Sequence, residues 1–200
     1  MFASMVPAVV ENTKKEAEAI QAMIKETGGD FELQPWDWEF YGEKVRKAKY
    51  DLDEAEVRQY FEFERVLNDG MFYTMNKLFG ITMKARPDLP VYHPDVKAYE
   101  VFDADGTSIA IFYADYFARD GKRGGAWMSS FVEQSKLLNQ KPVVVNVMNI
   151  PKGPAGEPTL VSYDNVTTMF HEFGHAVHGL FSDVNYPSLA GTSVSRDFVE

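Results

Sequence analysis

Apolar residues recur at three- and four-residue steps over residues 3–27, with Val9, Ala17, Ile20 and Ile24 on one stripe. That spacing predicts an amphipathic helix, stopped by Gly28–Gly29. After Pro35 a second helical pattern runs from about Trp36 to Lys49 through Trp38, Phe40, Tyr41 and Val45. Asp53 is the expected N-cap of a third helix, because Glu56 three residues later completes a capping box. Val57, Tyr60, Phe61, Phe63 and Val66 carry that helix toward Leu67, where Asn68–Asp69–Gly70 should break it. Met71 to Phe79 reads as another short helix.

The period then changes. Pro87, Pro90 and Pro94 punctuate a loop, and Tyr99–Asp103 and Ile109–Tyr116 read as strands joined through Asp105–Gly106, a turn signal. Gly121, Gly124 and Gly125 mark a second turn, and Val143–Ile150 is an apolar strand. A Pro- and Gly-rich loop, Pro151–Pro158, leads into a helix from about Asn165 to Phe181, with Asp164 as the expected N-cap. The pattern predicts an α+β chain, predominantly α-helical with a small antiparallel sheet. Residues 1–85 form the helical part, and residues 86–200 the sheet and the last helix.

Composition narrows the function. Lys and Arg number 20 against 30 Asp and Glu, a net charge of -10, so nucleic acid and anionic membrane are not expected partners. The first ten residues lack the basic start of a signal peptide, and no run approaches the ~20 apolar residues of a membrane-spanning helix. The expectation is a cytoplasmic monomer, with export left open. Cysteine is absent, which excludes disulfides, thiolate metal sites and a cysteine nucleophile. A metal here must be held by His, Asp or Glu, and there are only 4 His.

Two of them form His171–Glu172–Phe173–Gly174–His175. Residues four apart on a helix lie about 40° apart around its axis and one turn along it, so both imidazoles reach one ion from one face. Glu172, rotated by about 100°, stands beside such an ion, placed to take a proton from water activated there. With 4 His and 16 Glu in 200 residues, chance would supply this pattern roughly 0.006 times, and the apolar flanks (Val166, Met169, Phe170, Val177, Leu180, Phe181) supply the context it needs. The third ligand is open. The class that places a further His six residues past the second is excluded, since Phe181 stands there. A carboxylate from a later element is the other solution, and Asp197 and Glu200 share a face if residues 195–200 are helical. His178, a turn beyond the pair, suits packing or support of a ligand more than ligation. Gly174 and Gly179 each cost the helix about 1 kcal/mol relative to Ala, which close approach of another segment would explain. The strands Ile109–Tyr116 and Val143–Ile150 are candidates for an edge on which an extended peptide lies, with Gly124, Gly125 and Ala126 admitting it closely.

The string Phe170-His171-Glu172-Phe173-Gly174-His175-Ala176-Val177-His178, with Gly191-Thr192 and Arg196-Asp197-Phe198-Val199-Glu200, resembles the thimet oligopeptidase and neurolysin family of zinc metallopeptidases. Pro35-Trp36-Asp37, Val66-Leu67-Asn68-Asp69-Gly70, His93-Pro94-Asp95-Val96, Phe112-Tyr113-Ala114-Asp115 and Arg119-Asp120-Gly121-Lys122 extend the resemblance over nearly the whole chain, closest to its bacterial peptidyl-dipeptidase branch. The resemblance implies a neurolysin-like, zincin-type catalytic domain of which this chain is an internal part. It implies one zinc ion held by His171, His175 and Glu200, Glu172 as general base, and short peptides as substrates. Asp197, Asp164 and His178 are candidates to support the ligands; the family often has an acid where Asn165 stands. The implied reaction is release of C-terminal dipeptides. Internal cleavage by the same residues is the alternative, and a non-catalytic helical module with a vestigial site is a third reading.

Overall fold

The computed structural model describes residues 2–50 and 54–200. The chain forms two compact units, Met1–Val57 and Arg58–Glu200. In the first, α1 (Phe2–Glu26) packs with α2 (Trp38–Tyr50), which follows a 3-10 turn at Pro35–Asp37. Ile20 and Ile24 are buried there, and Gly28 ends the first hairpin arm at φ +85°, a conformation that costs glycine little. The expected capping box at Asp53 lies outside the described residues.

The second unit corrects the helical reading in two places. The helix after α3 (Glu54–Arg58) does not run on to Leu67. Instead, Phe63 N–H donates to the Thr159 carbonyl and Val161 N–H to that of Phe61, so long-range pairing overrides local helix preference. Glu62 then caps a new start, its carboxylate accepting from the N–H groups of Glu64 and Arg65 at 3.1 and 2.8 Å. Nor does Asn68–Asp69–Gly70 break the chain. α4 (Phe63–Arg65) runs through a π-helical segment, Val66–Phe72, into α5 (Tyr73–Phe79). Asn68 Nδ2 donates to the Glu64 carbonyl and Thr74 Oγ1 to that of Gly70, so side chains satisfy backbone groups that the widened turn strains.

The sheet has five strands in the order β1-β2-β3-β5-β4: β1 Thr82–Ala85, β2 Lys97–Phe102, β3 Ser108–Phe117, β4 Trp127–Val132 and β5 Val143–Ile150. It is mostly antiparallel, but β3 and β5 pair in parallel. β1 and β4 are additions to the predicted sheet. β4 takes the outer position, which leaves both β3 and β5 interior. The outer strands are β1 and β4, so neither Ile109–Tyr116 nor Val143–Ile150 offers the edge expected for an extended peptide.

One long helix, α6 (Tyr163–Leu180), lies on this sheet. Its N-cap is Ser162, whose hydroxyl accepts from Asn165 N–H at 3.2 Å, rather than Asp164, which sits in the first turn where a negative charge meets the helix dipole. Met169, Phe173, Ala176 and Leu180 are buried against the sheet, and the Phe173 ring meets Phe112 edge-on at 5.0 Å. Each large apolar side chain so covered contributes roughly 1.5–3 kcal/mol. No described helix is long and apolar enough to cross a membrane.

Candidate metal centre

α6 is amphipathic, and its buried stripe dictates which residues face outward. With Met169, Phe173 and Ala176 on the sheet, His171 is 58% exposed and His175 15%. Their Nε2 atoms are 3.1 Å apart. The short helix α7 (Arg196–Val199) ends at Glu200, whose Oε2 stands 3.9 Å from His171 Nε2 and 3.8 Å from His175 Nε2. These three are the group of His, Asp and Glu among the described residues whose donor atoms converge, all within 4.8 Å of one another. Two donors about 2.05 Å from one tetrahedral ion stand roughly 3.3 Å apart. Two imidazole nitrogens and one carboxylate oxygen at these separations suit zinc, and three protein ligands leave a coordination position open.

Glu172 is not part of that group. It is 7% exposed, and its carboxylate accepts no hydrogen bond among the described residues. Burial pushes its pKa above the ordinary value; His171 and His175 pull it back and Glu200 adds to the rise. A carboxylate whose proton affinity is raised by burial is a better proton acceptor than a surface one.

The loop that returns Glu200 to α6 is held by residues the motif does not include. Gln134, 7% exposed, accepts at Oε1 from Val184 N–H at 2.7 Å, and buried Ser135 donates to the Asn185 carbonyl at 2.7 Å. Gly191, at φ +51°, lies so close to α6 that a Cβ there would meet Gly179 Cα at 3.1 Å. A Cβ on Gly179 would in turn meet Met128 Cε at 2.6 Å and Val144 Cγ2 at 3.1 Å. Close approach thus accounts for Gly179. It does not account for Gly174, where nothing lies within 4 Å.

None of the three supporting candidates hydrogen-bonds a histidine of the group. His178 meets the Phe198 ring edge-on at 6.2 Å, which packs α7 onto α6. Asp197 and Asp164 are exposed. Gly124 and Gly125 have open space around them, and with Ala126 they lead into β4. The β3–β4 loop carrying them is pinned at its base by a buried ionic cluster: Asp115 accepts from Arg119 at 2.6 and 2.9 Å, Lys122 at 2.9 Å and the Tyr92 hydroxyl at 2.8 Å. Burial would raise the Asp115 pKa, but these donors outweigh it and hold the carboxyl at about 2.

The sequence model of peptidase family M3 matches residues 1–200. A dipeptidyl carboxypeptidase of Escherichia coli (strain K12) is 54% identical over 196 residues, covering 98% of this chain and 29% of that protein. Oligopeptidase A of the same organism is 38% identical over 191 residues, 94% of this chain and 28% of its own length. The organellar oligopeptidase A of Arabidopsis thaliana is 36% identical over 197 residues, 93% of this chain and 25% of its own. The chain thus spans less than a third of the curated relatives it matches.

Proposed function

The chain belongs to peptidase family M3, and on that premise we propose that it carries the zinc centre of a zincin-type peptidase that releases C-terminal dipeptides from short oligopeptides. The observation that carries this reading is the convergence of His171, His175 and Glu200 beside a buried, unpaired Glu172. The two histidines and Glu200 would hold the ion. Zinc in such a site polarises a carbonyl and brings the pKa of water to about 7.

The chain's own groups do the rest. Glu172 accepts the proton of the attacking water and then delivers it to the leaving amine, one carboxylate serving as base and acid in turn. Burial, which raises its proton affinity, favours the first of those two steps. β4 has a free edge, so an extended peptide adds there by backbone hydrogen bonds that are indifferent to side-chain identity. The open space at Gly124 and Gly125 lets the peptide backbone approach the start of that strand. The greater identity to the dipeptidyl carboxypeptidase than to oligopeptidase A, 54% against 38%, supports release of dipeptides over internal cleavage.

The test is mass spectrometry of the products of an N-blocked peptide of ten or so residues, using the full-length protein and its Glu172→Gln variant. Successive loss of C-terminal dipeptides, absent in the variant, is the expected result. Internal cuts move the assignment to an oligopeptidase. Wild-type turnover by Glu172→Gln removes Glu172 as the base.

A further inference from the structure

β5 is an apolar run with one polar interruption in its middle. Asn146 is fully buried between Val145 and Val147, in register with Ala114 of β3 on one side and Met128 of β4 on the other. Its Nδ2 donates at 2.8 Å to the backbone carbonyl of Glu172. This is the side-chain hydrogen bond that joins the sheet to α6, and among the described residues no other does so. The same amide leaves its Oδ1 buried without a partner. A buried amide with one half unsatisfied is a poor way to stabilise a strand, where Val or Leu would pack at no such cost.

We propose that Asn146 is a positioning residue, its side-chain amide fixing where the turn of α6 that bears His171, Glu172 and His175 stands over β4 and β5. The proposal rests on the reading of Glu172 as general base. Among the described residues the other contacts between α6 and the sheet include apolar ones, such as Phe173 on Phe112, and apolar contact is non-directional. A helix held by such contacts alone can settle at slightly different heights along its axis. A hydrogen bond to a carbonyl favours one direction and one distance, and this one acts on the backbone of the catalytic residue itself.

A second reference point lies seven residues on, on the same helical face. There Gly179 admits Met128 and Val144, and Met128 is the β4 partner of Asn146 in the sheet register. Two marks two turns apart, the first read by β5 and the second by β4 and β5, set the axial position of α6 against the strand whose edge receives the peptide. Catalysis is sensitive to such placement, since a displacement of about 1 Å costs on the order of a hundredfold in rate.

The experiment uses the full-length protein with Asn146→Leu, which removes the amide and its unpaired oxygen at nearly constant shape. Thermal midpoint, zinc content, kcat and KM are measured beside Met148→Ala, a core truncation on the same strand, and Glu172→Gln. The expected result for Asn146→Leu is a thermal midpoint no lower than that of the parent and full zinc occupancy. With it comes a kcat reduced roughly ten- to a hundredfold at a KM within about threefold. Met148→Ala should lower the midpoint and leave kcat near that of the parent. Parental kcat in Asn146→Leu overturns the proposal, as does a fall in kcat matched by Met148→Ala. Should Asn146→Leu not fold, Asn146→Val is read by the same criteria, and failure of both to fold assigns the amide to stability and also overturns it. Glu172→Gln separates the two claims: turnover there defeats the base assignment, whereas its inactivity beside a fully active Asn146→Leu defeats only this one.

Discussion

Replacing Asp115 by Asn asks what holds the base of the loop before β4. The carboxylate is 3% exposed and Lys122 only 4%. The Lys122 ammonium donates to Asp115 Oδ1, to the Asp115 carbonyl and to the Phe117 carbonyl at 2.8–2.9 Å, so its three N–H groups meet three acceptors. Asn preserves the outline and one acceptor oxygen but leaves the ammonium uncompensated in a buried place. Breaking a buried pair from one side costs about 3–5 kcal/mol; the surviving acceptor puts the expectation near the lower limit, about 3 kcal/mol at pH 7. With a urea m-value of about 2 kcal/mol/M, the unfolding midpoint falls by roughly 1.5 M. The pH dependence supplies the stricter check. A carboxyl lowered from its ordinary 3.8 to about 2 contributes stability that is fully present above pH 4 and is lost as pH falls through 2. By linkage this amounts to about 2 kcal/mol. Asn does not titrate, so the gap between parent and variant should narrow by that amount from pH 7 to pH 2, followed by urea titration at each pH. A gap below about 1 kcal/mol at pH 7, or one that does not change on acidification, refutes the argument.

Two further outcomes follow from the geometry. His171→Ala should abolish equimolar zinc binding, measured by metal analysis after dialysis, because two donors remain of a three-donor group; retention of stoichiometric zinc would exclude His171 as a ligand. Gly174→Ala and Gly191→Ala should shift thermal stability in opposite directions. The first adds a methyl where nothing lies within 4 Å in a helix interior, a gain of about 0.5–1 kcal/mol. The second forces a Cβ to within 3.1 Å of Gly179 at φ +51°, a loss of about 1–3 kcal/mol, and shifts of the same sign would show that the close packing of α6 is misread.

The elements legible in the sequence were those whose residues carry their own signal. α1 and α6 announced themselves by a helical stripe, and β2, β3 and β5 by apolar runs and the turn at Gly106. What failed had causes outside the local window. Helix propensity over residues 54–67 was sound, yet Phe61 and Phe63 bond across to Val161 and Thr159, about a hundred residues away. β4 was missed because Trp-Met-Ser-Ser-Phe-Val has neither an apolar run nor clean alternation; an edge strand half exposed on both faces needs neither. Recognising three strands but not β4 is what made β3 and β5 look like edges, and it hid their parallel pairing.

The same distinction separates the chemistry of the site from its support. His171, Glu172 and His175 sit within one helical turn, so spacing alone brings them together, and Glu200 was within reach through the resemblance of residues 196–200. The residues that hold these groups in place act across 26 to 50 positions: Asn146 to Glu172, Gln134 to Val184, Ser135 to Asn185. Each is a lone polar residue bonded to backbone. A side chain that addresses a carbonyl or an N–H selects no partner residue type, so it leaves no complementary pattern in the sequence for spacing to detect. What was visible was only the anomaly: Asn146 in a run of Val and Met, and Gln134 and Ser135 just past the end of β4. Polar residues that interrupt an apolar run, with no local turn or cap to explain them, are therefore where the support of a motif should be sought, because burial obliges them to find a partner and the backbone of the functional helix and loop is what lies opposite.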